Sequence, residues 1–363
     1  MPMANFRLSF ALPKRQQVAL VDASGISILN EYIPQKDTSI IDIEHMNVFA
    51  LLRMIVAGKK SLFDYIIAYI KVFKPQFVFT FLDNNVDFYK LAAIFPKVKF
   101  IAIQNGHRAN YANQSGFGFF DLLKNESAKN KLSAHAICVL GTTAGNQYTQ
   151  YIQAKPVVTG SLKNNLIGNQ IKPTERFDIV YVSQHAPFEI PNSEVKFFFG
   201  NKSITAEEFY AIEQKIVRFL AAHSKQTGQS FAVLGKRTDS VSYEREFFVT
   251  AASPKEVQFI PRTSETSTYE FCNSASIIVT ADSTIGYEFL ARGNRVVFLS
   301  GRINAVSDEL SREAHDTDFG FPLELGTSGP FWTNAANESE FERVIRSVQS
   351  MSDAQWASTI SPY

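Results

Sequence analysis

Residues 276–293 read SIIVTADSTIGYEFLARG. The first five, Ser276 to Thr280, are dominated by β-branched apolar residues, the composition of a strand buried on both faces. A polar break at Ala281-Asp282 follows at once. Ser283 and Thr284 then stand where a helix would begin, and the helical segment runs to about Arg292. A buried strand passing through a short polar turn into a helix is the unit from which parallel α/β sheets are built. The fold therefore turns on whether that unit repeats.

It repeats in both directions. Downstream, Arg295 to Leu299 is a further strand, and Phe341, Val344, Ile345 and Val348 mark a late helix. Upstream, strands are expected at Asp178 to Val182, Phe231 to Leu234 and Val257 to Ile260, with a long helix marked by Phe209, Ile212, Ile216, Phe219 and Leu220 and a short one near 267–273. Earlier still lie strands at Gln16 to Asp22, Ser39 to Asp42, Gln76 to Leu82, Val98 to Ile103, Ala134 to Leu140 and Pro156 to Thr159. Between them, Leu62, Phe63, Ile66, Ile67, Ile70 and Phe73 fall at helical spacing, and Val86 to Phe95 forms another helix. Residues 160–177, GSLKNNLIGNQIKPTERF, are polar without apolar periodicity and read as a linker. The expectation is α/β: two Rossmann-like domains with parallel sheets facing a cleft, one over 1–165 and one over 166–363.

Composition agrees with that class. The 363 residues, 45% hydrophobic and 20% charged, suffice for about two domains of ~150 residues. Lys plus Arg is 36 against 35 Asp plus Glu, so the net charge of +1 gives no case for bulk nucleic-acid binding. Two cysteines, Cys138 and Cys272, are too few for a disulfide framework and fit a reducing, cytoplasmic setting. The start, MPMANFRLSFALPKRQQ, lacks a signal-peptide pattern, and no run of about 18 uncharged apolar residues spans a membrane. Phe is abundant, at 32, and clusters at FGFFDLL (116–122) and KFFFG (196–200). Such clusters read first as core cover, and second as contact with a lipid-linked substrate or a membrane surface. The dinucleotide fingerprint, the phosphate-loop motif and the zincin and hydrolase motifs are all absent. Asp316-Thr317-Asp318 resembles an acidic metal motif but follows no strand directly, so no metal is expected.

Ligands of parallel sheets bind outside the carboxyl ends of the strands, which selects the residues of interest. Four polar clusters follow strands: Asp83-Asn84-Asn85, Gln104-Asn105-Gly106-His107-Arg108, Gly160 to Asn165, and Asp282 to Glu288. Each alone could be turn chemistry. Together, on one expected edge, they point to a site. Ser283 and Thr284 could cap the helix whose first N–H groups would hold a phosphate. Gly286 would allow close backbone approach, and Glu288 could accept from a ribose, or could merely suit the helix dipole. Lys236-Arg237 could pair with a phosphate, and Ser183 and Gln184 could contact a nucleotide; the alternatives are a solvated pair and a polar turn. Asp83 and His107 are the acid–base candidates, and Arg108 could hold an anionic group.

FLDNNVDFYKL (81–91), FIAIQNGHR (100–108), TGSLKNN (159–165), VLGKR (233–237), SIIVTADSTIGYEFLARG (276–293) and FGFPLELGTSGPFWTN (319–334) resemble bacterial surface-carbohydrate biosynthesis proteins. The resemblance spans roughly residues 16–358 and implies a GT-B-like glycosyltransferase acting in O-antigen, lipopolysaccharide or capsule assembly. It carries over Gln104, Asn105, Gly106 and Arg108 as the first-domain signature. Gly160, Ser161, Lys163 and Asn164 carry over as the interdomain signature, and Asp282, Ser283, Thr284, Gly286, Glu288 and Arg292 as the donor side. The family often has an aromatic at the position of His107, which favours Asp83 as base, with Asn84 beside it on the acceptor side. The implied donor is a CMP- or UDP-sugar co-substrate without further cofactor. The implied acceptor is a glycan or lipid-linked glycan, which would bring the protein to the inner face of the cytoplasmic membrane. Two rivals are a sugar-nucleotide epimerase of the same architecture and a non-catalytic scaffold of a glycan-assembly complex.

Overall fold

The computed structural model describes residues 7–11, 17–34, 36, 38–41, 45–108, 118–167, 175–186, 188, 191–199, 202–238, 241–252, 257–264, 266–302 and 326–363. The chain divides into two compact units, one of Met1–His107 with Phe120–Leu166 and one of Arg108–Phe119 with Ile167–Tyr363.

The first unit is built on a six-stranded sheet of β2 (Val18–Val21), β3 (Thr38–Ile41), β5 (Phe77–Thr80), β6 (Lys99–Ile103), β7 (Ser133–Val139) and β8 (Gln153–Val158), after β1 (Arg7–Ser9) and β4 (His45–Asn47), which pair with each other. The order is β3-β2-β5-β6-β7-β8 and every pairing is parallel. β2 is buried along its whole length, while β5 and β6 alternate buried with half-buried residues. The helix Leu62–Phe73 starts at a capping box of Ser61 and Asp64 and buries Tyr65, Ile66, Tyr69, Ile70 and Phe73.

The second unit repeats the plan with β9 (Ile179–Val182), β12 (Phe231–Leu234), β13 (Gln258–Ile260), β14 (Ile277–Thr280), β15 (Val296–Leu299) and β16 (Trp332–Thr333), after a separate antiparallel hairpin of β10 (Lys196–Phe199) and β11 (Lys202–Thr205). The order β13-β12-β9-β14-β15-β16, all parallel, is the 3-2-1-4-5-6 order of a dinucleotide-type fold. The expected α/β class with parallel sheets is what the chain adopts.

One expectation changes. Leu162–Ile167, inside the polar stretch read as linker, is a helix started by the left-handed Gly160, with φ +65°; residues 168–174 lie outside the described residues. The KFFFG stretch contributes the strand β10, and Phe197 turns inward to pack on Phe209 with ring centroids 4.4 Å apart. Phe120 is likewise buried against Tyr148, at 5.7 Å. Phe120 and Phe197 are core, as the first reading held, and Phe119 and Phe198 are half-buried, while Phe117, the Phe199 side chain and the Asp316-Thr317-Asp318 triplet lie outside the described residues. Among the described residues no helix is long and apolar enough to cross a membrane.

Candidate functional site

In the first unit, β5 and β6 are neighbours, so the loops that follow them share one edge. Asp83 is wholly buried there. One carboxylate oxygen accepts the Asn105 N–H at 3.1 Å, and the other accepts the Tyr148 hydroxyl. Its own carbonyl accepts the Tyr89 hydroxyl at 2.7 Å. Gln104 is buried too: its amide oxygen takes the Leu140 N–H at 2.9 Å, and its amide nitrogen donates to the Gly106 carbonyl at 3.0 Å. Asn85 caps the helix Val86–Ile94 through the Asp87 N–H at 3.1 Å. Asn84 and Asn105 are exposed, and Gly106, His107 and Arg108 are half-buried. The Arg108 guanidinium lies 5.9 Å from the Phe119 ring centroid. A general base must reach the proton it takes. As placed, the Asp83 carboxylate instead braces the two loops, while His107 is half-buried.

Gly160, Ser161, Lys163 and Asn164 follow β8, the edge strand of the same sheet. The Ser161 hydroxyl accepts the Asn164 N–H at 3.2 Å, a local turn bond. These residues belong to the first unit.

The other candidate donor residues follow strands of the second sheet. The chain leaves β9, builds β12 and β13 to one side, and returns to β14 on the other, so the crevice between the β9 and β14 loops is a topological switch point. Ser183, Gln184 and His185 follow β9; Asp282, Ser283 and Thr284 follow β14; Lys236 and Arg237 follow β12. These are brought together. At their centre is Arg302, which the sequence reading did not single out. The residue is 2% exposed. Gly301, with φ +54°, turns the chain directly after β15, and a side chain there would strike Ile212 Cδ1 at 2.8 Å and Ala336 Cβ at 2.9 Å. The turn aims Arg302 inward. Its guanidinium donates to Asp282, to Glu213 at 3.2 Å, to the Gln184 side-chain oxygen at 3.1 Å and to the Phe209 carbonyl at 3.3 Å, and it lies 4.3 Å from the Phe209 ring centroid. Glu213, fully buried on the helix Ala206–Thr227, also accepts the Tyr181 hydroxyl at 3.0 Å and the Gln184 N–H at 2.9 Å. Burial pushes its pKa up, with the guanidinium opposing.

Glu244, on the helix Val241–Val249, is a second buried carboxylate. It accepts the Ser183 hydroxyl and the backbone N–H groups of Lys236, at 2.9 Å, and Arg237, at 3.3 Å. Burial raises its pKa as well. The Ser183 hydroxyl, expected to face a nucleotide, is thus spent inward. The Lys236 ammonium donates to the Gln184 carbonyl at 3.1 Å, and loss of water around it lowers its pKa, with Glu213 opposing. His185 is buried with its ring stacked on Phe247 at 3.7 Å and edge-on to Tyr210 at 4.8 Å. Among the described residues neither ring nitrogen has a hydrogen-bond partner.

The helix Thr284–Ala291 begins at Ser283, whose side chain makes no capping bond. Within that first turn the Gly286 N–H donates to the Ser283 carbonyl at 2.9 Å. Gly286 serves packing rather than ligand approach: a Cβ would sit 2.6 Å from Thr280 Cγ2 and 2.9 Å from Phe298 Cε1, so its absence seats the helix on the sheet. Glu288 is buried and accepts the Tyr269 hydroxyl at 2.6 Å. Arg292 caps the far end of this helix, bonded to Asn273 Oδ1 at 3.1 Å, and so belongs to the amino edge of the sheet, away from the switch point. Among the described residues no cluster of His, Cys, Asp and Glu is arranged to hold a metal ion.

No curated protein matches the chain. Among solved structures it is similar to one titled "putative UDP-N-acetylglucosamine 2-epimerase from Listeria monocytogenes", with TM-score 0.53, 10% identity, 96% of this chain and 91% of that one covered. It is also similar to HepE of Anabaena in complex with UDP and glucose, with TM-score 0.51, 11% identity, and 95% and 92% covered. At such identities the likeness is one of fold, the GT-B-like pairing of parallel-sheet units. A family described as "putative O-antigen biosynthesis protein" matches residues 101–363, which take in the whole second sheet. With the match running over well more than half its length, the chain belongs to that O-antigen biosynthesis protein family.

Proposed function

We propose that the chain is a GT-B-type glycosyltransferase that takes a nucleotide-activated sugar at the carboxyl edge of its second sheet and passes the sugar to a glycan or lipid-linked glycan acceptor served by the first unit. The observation that carries the reading is the switch point, where the loops bearing Gln184, Lys236 and Asp282 meet a helix start without a side-chain cap. In the proposed step the bond from the anomeric carbon to the donor phosphate breaks and its electron pair leaves on the phosphate. The helix N–H groups, with Lys236 and Arg237, meet that charge. The acceptor hydroxyl bonds to the anomeric carbon and gives up its proton to His107. A uridine donor is favoured over a CMP-activated acidic sugar. The Arg302 guanidinium is already paired with Glu213 and Asp282, so this cation is directed inward rather than at a sugar carboxylate. The similar fold of HepE carries UDP.

Thermal unfolding with UDP, CMP, GDP and ADP tests the donor half. UDP at about 100 times its dissociation constant should stabilise the fold by about 2.7 kcal/mol. The double variant Ser283→Ala with Arg237→Ala should lose most of that shift. No shift with any nucleotide would favour the scaffold reading.

The acid–base half has its own test. Asp83→Asn keeps an oxygen for the Asn105 N–H and should retain transfer to within about tenfold, whereas His107→Gln should cost a factor of 10² or more in kcat. The reverse pattern would return the base to Asp83.

The second reading, a sugar-nucleotide epimerase, draws on the similar fold from Listeria monocytogenes. UDP-sugar turnover with no acceptor present would favour it.

A further inference from the structure

The helix Val48–Val56, VFALLRMIV, has its polarity inverted. A surface helix ordinarily turns apolar residues to the core and charged ones to water. Here Ala50 and Met54 form the buried face. Leu52, Ile55 and Val56, at i, i+3 and i+4 on the opposite face, are 53%, 55% and 87% exposed. Val48 and Phe49 complete that face and are half-buried, so no polar residue lies on it. The helix is well seated despite this. Asn47 caps it through the Phe49 N–H at 3.0 Å and donates to the Ala11 carbonyl at 3.0 Å, while the Tyr65 hydroxyl accepts the Asn47 N–H at 2.8 Å. The Asn47–Ala11 bond brings Phe10, 72% exposed, to the start of the same helix. Leu62, just past its end, is exposed as well.

Charge supplies the second observation. From His45 to Phe63 the formal charges are Arg53, Lys59 and Lys60, with no Asp or Glu. All of them are exposed, and among the described residues none forms an ion pair. The next carboxylate, Asp64, is drawn back into the capping box with Ser61. An apolar face edged by cations is the recognition chemistry of an anionic bilayer: the side chains enter the acyl boundary and the cations meet lipid phosphates. A soluble partner would have to bring a matching apolar face with acidic edges. A second copy of this segment would bring the same cations and repel.

We propose that the helix Val48–Val56, with Phe10, Leu62, Lys59 and Lys60, is an interfacial surface that seats the first unit on an anionic membrane leaflet. This moves the membrane contact from the Phe-rich stretches, where Phe120 and Phe197 are buried, to a helix the sequence reading did not single out. It stands independently of the catalytic reading, since vesicle binding needs neither donor nor transfer.

The test is co-flotation of the full chain with vesicles of phosphatidylcholine alone and of equal parts phosphatidylcholine and phosphatidylglycerol. Binding is expected to the mixed vesicles only, and to fall as salt rises. Lys59→Gln with Lys60→Gln should weaken it about 25-fold, at about fivefold per cation. Leu52→Ser, Ile55→Ser and Val56→Ser together should weaken it at least tenfold. These positions are exposed, so unchanged melting temperatures would show that the variants fold. Failure to float with the mixed vesicles would overturn the proposal, as would equal binding by wild type and both variants. A dimer in solution that the Leu52, Ile55 and Val56 substitutions dissolve would overturn it in favour of a self-interface.

Discussion

Arg302→Met is expected to lower the unfolding free energy by about 3–5 kcal/mol at neutral pH. The methionine fills much of the space but removes the only positive partner that Glu213 has within hydrogen-bond distance among the described residues. Glu213 is fully buried, so the stranded carboxylate must stay charged at great cost or take a proton. Its pKa is raised by burial, and the guanidinium is the largest influence holding it down. Without Arg302 that pKa rises further, so the loss should be smaller at pH 5 than at pH 8. Adding Glu213→Gln should restore most of the stability, because a neutral amide needs no counter-charge while its oxygen still accepts from Tyr181 and Gln184. Urea unfolding of wild type, single and double variants at both pH values reads all of this. A loss under about 1 kcal/mol, or a double variant no better than Arg302→Met alone, would mean that the guanidinium does not hold this edge together. The consequence for function is direct. Arg302 ties Gln184 to Asp282, one loop from each side of the switch point, so the crevice is set before any ligand arrives.

Much of this was legible in the sequence, and the reason is physical. Strands buried on both faces are short unbroken apolar runs, so Asp178 to Val182, Phe231 to Leu234 and Ser276 to Thr280 stand out and fall within a residue of the observed elements. The polar β11 and the two-residue β16 give no such run. Arg302 had a signal that was passed over: Ser300-Gly301-Arg302 follows a strand, as the four chosen clusters do. Glu213 had one too, a carboxylate four residues after Phe209 and three before Ile216, on the apolar stripe of its helix. What no local pattern could supply is side-chain direction. Asp83 sits at a strand end as expected, but its carboxylate turns to Tyr148, 65 residues away in the chain. Gly286 was placed correctly within its helix, yet the groups that approach it closely are Thr280 and Phe298 of the sheet.

Direction also decides the pH behaviour of His185. Enclosed by Phe247, Tyr210 and Tyr243, with no partner for either nitrogen among the described residues, its ring is far easier to bury neutral than charged. Burial, aided by the nearby Lys236, pushes its pKa down from 6.5 to about 4. Between those values the unfolded chain holds a proton on this residue that the folded chain does not. Stability contributed by His185 is therefore complete above pH 6.5, falls by about 1.4 kcal/mol per pH unit as the solution is acidified, and has lost on the order of 3 kcal/mol near pH 4. Glu213 and Glu244 act the other way. Their raised pKa values mean that the folded state takes up protons first on acidification, which favours it. The wild-type profile is the sum of these opposed contributions and does not isolate any of them. The difference between wild type and His185→Phe does, since phenylalanine fits a ring-stacked, partnerless slot and cannot titrate. The variant should match or exceed wild type at pH 7.5 and should gain on it steadily down to pH 4, with the gap widening by about 3 kcal/mol. A gap that stays constant with pH would mean that the imidazole is charged in the fold, and would require a carboxylate or water beside a ring that here meets only aromatic faces.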